Sequence, residues 1–319
     1  MSIVVPVYQG ERTLESLLAE IEPLVQPLET PRGRRFRVNE VILVHDGAID
    51  HSHAVMEALA RRYQFVTTVW LSRNYGQHPA TLAGMAASSG DWVATLDEDG
   101  QQAPTDISKL LDRAIEDDAA LVYATPVNGP PHARWRNAMS LLAKVLTAAL
   151  IGNRSARAFN SFRLVRGDVA RSLAAYCGSG VYLDVALSWV VGKSALCPVA
   201  LRPERGRPSG YTFSKLAAHF GRLMLTAGTR PLRIISILGS LSVLLGIAIS
   251  VYALWAKLHH QIPVQGYTSL LIVVCFFSGI ILLSLGVIAE YLALLLTTTM
   301  GKPLYVTVSR PSGNDKVRP

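Results

Sequence analysis

The chain has 319 residues, 50% hydrophobic and only 17% charged. Ordinary soluble domains are about 25% charged, so apolar sequence is concentrated somewhere and a disordered chain is excluded. Its 31 Lys and Arg outweigh 23 Asp and Glu by +8, and most of that excess sits in residues 200–233, where Arg202, Arg205, Arg207, Lys215, Arg222, Arg230 and Arg233 stand against Glu204 alone.

Residues 1–6 lack the basic and apolar regions of a secretory signal and are expected to open a strand. From there, short apolar runs alternate with longer amphipathic stretches, the pattern of an α/β domain with a largely parallel sheet. Strands are expected at 2–7, 40–44, 66–71 and 92–96, and helices at 13–25, 53–63, 79–88 and 106–116. Residues 30–35 read as a polar loop whose charges are simply solvated. Asn128-Gly129-Pro130-Pro131 is a break, and residues 135–151 an apolar helix with basic residues at its start. Cys177, Cys197 and Cys275 show no metal-ligand spacing; three cysteines without a secretory signal read as reduced thiols used as small apolar residues.

Residues 234–256 carry no formal charge over 23 positions and residues 268–289 none over 22, each enough to cross a hydrocarbon core of about 30 Å. A transmembrane hairpin is expected, with spans at about 234–256 and 268–290. Its joining segment carries one Lys, whereas Arg222, Arg230 and Arg233 precede it and Lys302, Arg310, Lys316 and Arg318 follow. The positive-inside rule then puts both ends in the cytoplasm, with the protein multi-pass in the cytoplasmic membrane. Residues 213–225 are expected to lie on the bilayer as an amphipathic helix. Glu290, at the cytoplasmic end of the second span, is expected to meet a basic partner or a headgroup.

The sharpest local feature is Leu96-Asp97-Glu98-Asp99-Gly100-Gln101 at the end of a strand. In an extended segment Asp97, Asp99 and Gln101 share one face, so two carboxylates and an amide oxygen converge where open α/β sheets bind ligands. Adjacent acids are costly without a cation, and Mg2+ or Mn2+ takes one or two carboxylates plus the oxygens of a bound diphosphate. A solvated acidic turn is the alternative.

Ile3-Val4-Val5-Pro6-Val7-Tyr8, Val41-Ile42-Leu43-Val44-His45-Asp46-Gly47, Leu71-Ser72-Arg73-Asn74-Tyr75-Gly76 and the Asp97 motif occur in an order that resembles the family 2 glycosyltransferases of GT-A fold. The resemblance is to the membrane-anchored branch that moves a sugar from a nucleotide onto a polyprenyl phosphate. It extends through Asn160-Ser161-Phe162-Arg163-Leu164, Arg205-Gly206-Arg207-Pro208-Ser209-Gly210-Tyr211, Pro231-Leu232-Arg233 and Ala289-Glu290-Tyr291 to Lys302-Pro303-Leu304-Tyr305. It implies a GT-A catalytic domain at 1–211, a juxtamembrane helix at 212–230, the hairpin at 231–299 and a cytoplasmic tail at 300–319.

The resemblance further implies a nucleotide pocket formed by Pro6, Tyr8, Asp46, Asn74 and Asp97, and a divalent ion, Mg2+ or Mn2+, held by Asp97, Asp99 and Gln101. Asp97, Asp99, Arg205 and Arg207 would carry catalysis. Arg134, Arg136, Ser161, Arg163, Ser209, Tyr211 and Lys215 would contact the lipid phosphate. A plain attraction for anionic lipid is the alternative for the basic segment, but forked donors, hydroxyls and Gly together favour phosphate binding, whereas Arg134 and Arg136 are equally open to a reading as snorkelling interfacial arginines. His45 and Ala48 stand where the family has Asp and Ser, Gln102-Ala103-Pro104 where it has Asp-Pro-Pro, and Ser161 where many relatives carry Gly or Asp. Asp184 is a weaker candidate for a base.

The expected activity is inverting transfer of a sugar from a nucleotide-diphosphate donor, UDP or GDP, to undecaprenyl phosphate, for envelope glycan modification. Partners are then the donor, the polyprenyl phosphate, the bilayer and further copies of the chain, with no nucleic acid. Two other readings are a processive polysaccharide synthase, disfavoured by two spans and the absence of Gln-x-x-Arg-Trp, and a non-catalytic nucleotide-sugar-binding membrane protein.

Overall fold

The computed structural model describes residues 1–127, 159–178, 182–202 and 266–309, with scattered positions between 237 and 255. Two compact units divide the chain: Met1–Leu216 together with Pro303–Pro319, and Ala217–Lys302.

In the first unit, β1 (Ser2–Val7) leads to α1 (Leu14–Ile21), the short strands β2 (Leu28–Glu29) and β3 (Arg35–Phe36), β4 (Glu40–His45), α2 (Ser52–Arg62), β5 (Val66–Trp70), α3 (Gln77–Ala87) and β6 (Trp92–Thr95). Then come α4 (Ile107–Glu116), β7 (Leu121–Pro126), β8 (Arg163–Arg166), α5 (Gly167–Tyr176), α6 (Leu183–Val190) and β9 (Ser194–Val199). Seven strands form one sheet in the order β5, β4, β1, β6, β8, β7, β9. β1 runs parallel to β4 and β6, β4 to β5, and β7 to β9, whereas β8 is antiparallel to β6 and β7.

Alternation along the strands builds both sides of the core. Ile3, Val5 and Val7 of β1 join Val41 and Leu43 of β4 and Leu14, Leu17, Leu18 and Leu110 in one buried layer. Val4, Ile42 and Val44 point the other way, onto Ala80, Leu82, Ala83 and Met85 of α3. Strands covered on both faces are apolar throughout, which is why β1 and β4 read as continuous apolar runs. The helix expected at 13–25 divides into α1 and a tighter 3-10 turn at Glu22–Val25. Pro23 lacks the N–H that would continue the α-helical ladder.

The loop at 30–35 differs from expectation. Thr30 is buried, its hydroxyl donates to Asp112 Oδ1 at 2.6 Å, and Arg34 Nη1 donates to the Asp112 carbonyl at 2.8 Å. The loop is thus fastened to α4 by one buried carboxylate far away in sequence, which local polarity does not reveal. The described thiols Cys177 and Cys197 are unbridged.

In the second unit α7 (Tyr267–Thr299) is a 33-residue helix, about 50 Å long at 1.5 Å per residue. Its stretch Phe276–Ala293 has a mean hydropathy of 1.9, none of it buried within the protein. Among the described residues this is the one helix long and apolar enough to cross a membrane. It contains the second expected span and runs ten residues past Ala289. The first span, the 135–151 helix and the 213–225 helix lie outside the continuously described residues.

After α7 the chain rejoins the first unit. Leu71 and Thr307 form an antiparallel bridge, Val308 N–H donates to the Trp70 carbonyl at 2.9 Å and Ser72 N–H to the Val306 carbonyl at 2.9 Å. Leu304 and Tyr305 pack onto the α3 layer of the core. The tail segment therefore joins the sheet at the carboxyl end of β5.

Candidate active site

Strand order reverses at β1: the chain steps from β1 outward to β4 and β5, then returns to β6 on the other side. The carboxyl ends of β1, β4 and β6 therefore border the crevice where such sheets take ligands. Tyr8 follows β1, Asp46 follows β4 and the Asp97 motif follows β6.

Asp97 is held from three sides. Gln77 Nε2, from the start of α3, donates to Oδ1 at 2.5 Å, Gln102 Nε2 donates to Oδ2 at 2.7 Å, and the Ser161 hydroxyl donates to the same Oδ2. Gln102 also accepts the Asp97 N–H through Oε1 at 2.9 Å and donates to Ser161 Oγ at 2.9 Å. Burial pushes the Asp97 pKa up to about 6, opposed by the Ser161 bond and reinforced by the nearby Asp99 charge. A half-buried carboxylate held this way, beside a second one, suits a divalent cation. Among the described residues no group of three or more His, Cys, Asp or Glu converges. Protein carboxylates from Asp97 and Asp99 would thus leave places for diphosphate oxygens, the usual arrangement for Mg2+.

Asp99 Oδ1 accepts the Gln101 N–H at 3.0 Å, and the Gln101 carbonyl accepts the Arg202 N–H at 2.9 Å. Arg202 also pairs with Glu20 at 2.7 Å. The basic segment therefore starts against the acidic loop. Arg205, Arg207, Ser209, Tyr211 and Lys215, and likewise Arg134 and Arg136, lie outside the described residues.

Several expected contacts take a different form. Asp46 is 3% exposed, and its two oxygens accept the N–H groups of Tyr75 at 2.6 Å and Gly76 at 2.8 Å. It shapes the 72–76 loop, which carries exposed Asn74, instead of offering its carboxylate to the crevice. Gly47 permits this close approach: its φ is +60°, and a Cβ there would meet Asn74 N at 2.5 Å. Pro6 is half-buried in β1 and Tyr8 is 38% exposed at its end. His45 is buried against Trp70, ring centroids 5.1 Å apart.

Two residues expected at the lipid phosphate are committed elsewhere. Ser161 serves Asp97, as above. Arg163 is 3% exposed and its Nη1 is paired with Asp184, which also accepts a hydrogen bond from Tyr123 Oη at 3.0 Å. A guanidinium stays in the interior only with its charge matched, and Asp184 is its match. Asp184 is 5% exposed and so does not face the crevice as a base. Burial raises its pKa, against the opposing charge of Arg163.

Sequence reasoning did not single out Gln77, Gln102 as a support, or the role of Glu98. Glu98 Oε2 and Oε1 accept the N–H groups of Tyr8 at 3.0 Å and Gln9 at 2.9 Å. The extended segment expected at 97–101 is instead a turn at Glu98 and Asp99 after β6, so strand alternation does not place these side chains.

Residues 2–173 match the family model Glycosyl transferase family 2, and residues 230–295 match that of the GtrB C-terminal hairpin. The chain belongs to glycosyl transferase family 2. It is 29% identical over 308 residues to undecaprenyl-phosphate 4-deoxy-4-formamido-L-arabinose transferase of Pseudomonas paraeruginosa, covering 96% of this chain and 88% of that one. Among solved structures it is similar to glucosyl-3-phosphoglycerate synthase from Mycobacterium tuberculosis in complex with Mn2+, UDP-glucose and phosphoglyceric acid. That match has a TM-score of 0.51 and 22% identity, covering 72% of this chain and 78% of that one. The same synthase in complex with Mg2+ and UDP matches at a TM-score of 0.50, 22% identity and the same coverage. The likeness establishes a GT-A type α/β fold, and this family 2 member is a glycosyltransferase carrying a C-terminal hairpin of the GtrB kind.

Proposed function

We propose that this family 2 enzyme transfers a sugar from a nucleotide-diphosphate donor to polyprenyl (undecaprenyl) phosphate with inversion, giving a polyprenyl-monophosphate sugar for envelope glycan modification. The donor is a UDP-sugar first, a GDP-sugar second. The observation that carries this is one chain joining a family 2 catalytic domain, its paired Asp97 and Asp99 at the strand-order switch, to a GtrB-type hairpin.

A phosphate oxygen of the acceptor attacks the anomeric carbon while that carbon's bond to the donor diphosphate breaks. A phosphate monoester with a second pKa near 6 is already largely ionised at neutral pH and needs no base. This accords with Asp184 being buried against Arg163. Asp97 and Asp99, with Gln101, would hold Mg2+ or Mn2+, which when bound supplies positive charge against the leaving diphosphate. Tyr8 and the 72–76 loop would border the nucleoside. Arg205 and Arg207 would grip the phosphates, with Ser209, Tyr211, Lys215, Arg134 and Arg136 nearer the lipid. The bond between Arg202 and Gln101 supports this, because the segment sets out from the acidic loop. The hairpin would hold a homo-oligomer at the cytoplasmic membrane, with both termini and the catalytic unit on the cytoplasmic side.

The test is incubation of the solubilised chain with undecaprenyl phosphate and a panel of labelled UDP- and GDP-sugars, with Mg2+, Mn2+ or chelator. Label in the lipid phase, labile to mild acid, is expected. Polymer, or nucleotide binding without lipid-linked product, would overturn the proposal.

A further inference from the structure

The loop after β1 has no secondary structure of its own, yet four consecutive N–H groups in it are engaged by side chains from elsewhere. Tyr8 and Gln9 donate to the two oxygens of Glu98, Gly10 donates to Ser52 Oγ at 2.8 Å, and Glu11 donates to Asp50 Oδ2 at 3.2 Å. Ser52 in turn donates to Asp50, and the His51 N–H returns to Glu11 Oε2 at 3.2 Å. The carboxyl end of β1 is thereby laced to those of β4 and β6. Glu98 makes the β6 connection, and it does so with a full charge on two donors, a stronger attachment than neutral bonds give.

Gly10 adds a second, independent observation. A Cβ at this position would stand 2.9 Å from Glu98 Oε2 and 2.7 Å from Leu14 Cγ. A side chain here would crowd that carboxylate and Leu14 together, so the loop that Glu98 holds must shift.

We infer that Glu98, although it stands between two acids assigned to the metal, is a positioning residue for the nucleoside end of the donor. Its carboxylate fixes the Tyr8 loop to the strand end bearing Asp97 and Asp99. The inference rests on the nucleotide-sugar reading proposed above. Glu98 has both oxygens turned to the loop, so it sets the distance between the nucleoside and diphosphate subsites, and the cation is left to its neighbours. One acidic triplet, carried on the turn after β6, then does two jobs.

The test uses the full chain in detergent and two probes. UMP, with GMP in parallel, is titrated by calorimetry in chelator, reading the nucleoside subsite without metal. Mn2+ is titrated alone by electron paramagnetic resonance. Glu98→Gln keeps the shape but sets an amide N–H against a backbone N–H, so one of two bonds is lost. It is expected to weaken nucleotide binding about tenfold, the equivalent of 1.4 kcal/mol, to raise the donor KM while the acceptor KM stays put, and to leave Mn2+ affinity unchanged. Gly10→Ala, which moves the loop with Glu98 intact, is expected to do the same.

Loss of Mn2+ binding in Glu98→Gln with normal nucleotide binding would make Glu98 a metal ligand and overturn the inference. A lowered melting temperature with unchanged nucleotide affinity in both variants would reduce it to a structural brace and also overturn it. If the unsubstituted chain binds Mn2+ but neither nucleotide, the donor reading fails and this inference with it. Binding in the unsubstituted chain that neither variant alters refutes the positioning role alone.

Discussion

Replacing Asp184 with Ala strips the partner from a guanidinium that is 3% exposed and leaves the Tyr123 hydroxyl without its acceptor. Neither group can turn to water, because Tyr123 is 1% exposed and Phe162 and Leu164 beside Arg163 in sequence are fully buried. Breaking a buried pair from one side costs about 3–5 kcal/mol, mostly from the charge left behind. At about 4 kcal/mol, the midpoint of a domain this size should fall by about 8–16 °C. Arg163→Met leaves a buried carboxylate, which escapes by taking up a proton and so costs less. The double variant Arg163→Met with Asp184→Leu removes both charges and is expected to recover most of the loss of Asp184→Ala. Thermal unfolding of the detergent-solubilised chain, followed by near-UV circular dichroism, measures all three. If Asp184→Ala costs under about 1 kcal/mol, or the double variant is worse than either single one, the account of a sealed, mutually dependent pair is wrong.

Two further predictions concern Asp97. Its pKa of about 6 exceeds the ordinary 3.8, so the fold without metal favours the protonated carboxyl. That stabilisation is complete below about pH 4 and is lost as pH rises through about 6. A cation demands the opposite state, so Mn2+ affinity should be level above about pH 7 and fall towards tenfold per unit below about pH 6, where each proton must be displaced. Titrations from pH 5 to 8 check this, and a flat profile would contradict it. Ser161→Ala and Gln102→Ala each remove one support from Asp97, and each is expected to weaken Mn2+ binding several-fold. Since Gln102 and Ser161 also bond each other, the double variant should fall short of the product of the two, and independent effects would break the proposed linkage.

Much of the fold was legible because its information is local. The runs at 2–7 and 40–45 are apolar at nearly every position, so their strands could be placed within a residue. The two carboxylates stood out because the end of a strand is where such sheets bind ligands. What was not legible depends on residues brought together from far apart. Gln102 and Ser161, both departures from the family pattern, look like losses when read singly. They become one support once β8 is placed antiparallel beside β6, and Thr95 and Ser161 meet at that junction. Arg163 and Asp184 carry the same lesson with opposite effect. An Arg beside a Ser in a motif suggests phosphate, and only the fold reveals that its charge is already matched. Asp46 turns both oxygens onto the backbone of Tyr75 and Gly76, which the sequence does not reveal, since nothing local shows which way a carboxylate turns.

The tail segment on β5 bears on the order in which the molecule is made. A ribosome delivers β5 more than two hundred residues before Thr307 and Val308, and both apolar segments of the hairpin emerge in between. Until then the Trp70 carbonyl and the Ser72 N–H, at the end of the sheet's outer strand, lack their tail partners. The first unit can complete this junction only after the hairpin has been synthesised. Shortening the protein to its leading 216 residues would therefore remove this junction as well as the hairpin, and a useful shortened form should splice residues 303–309 back onto the domain.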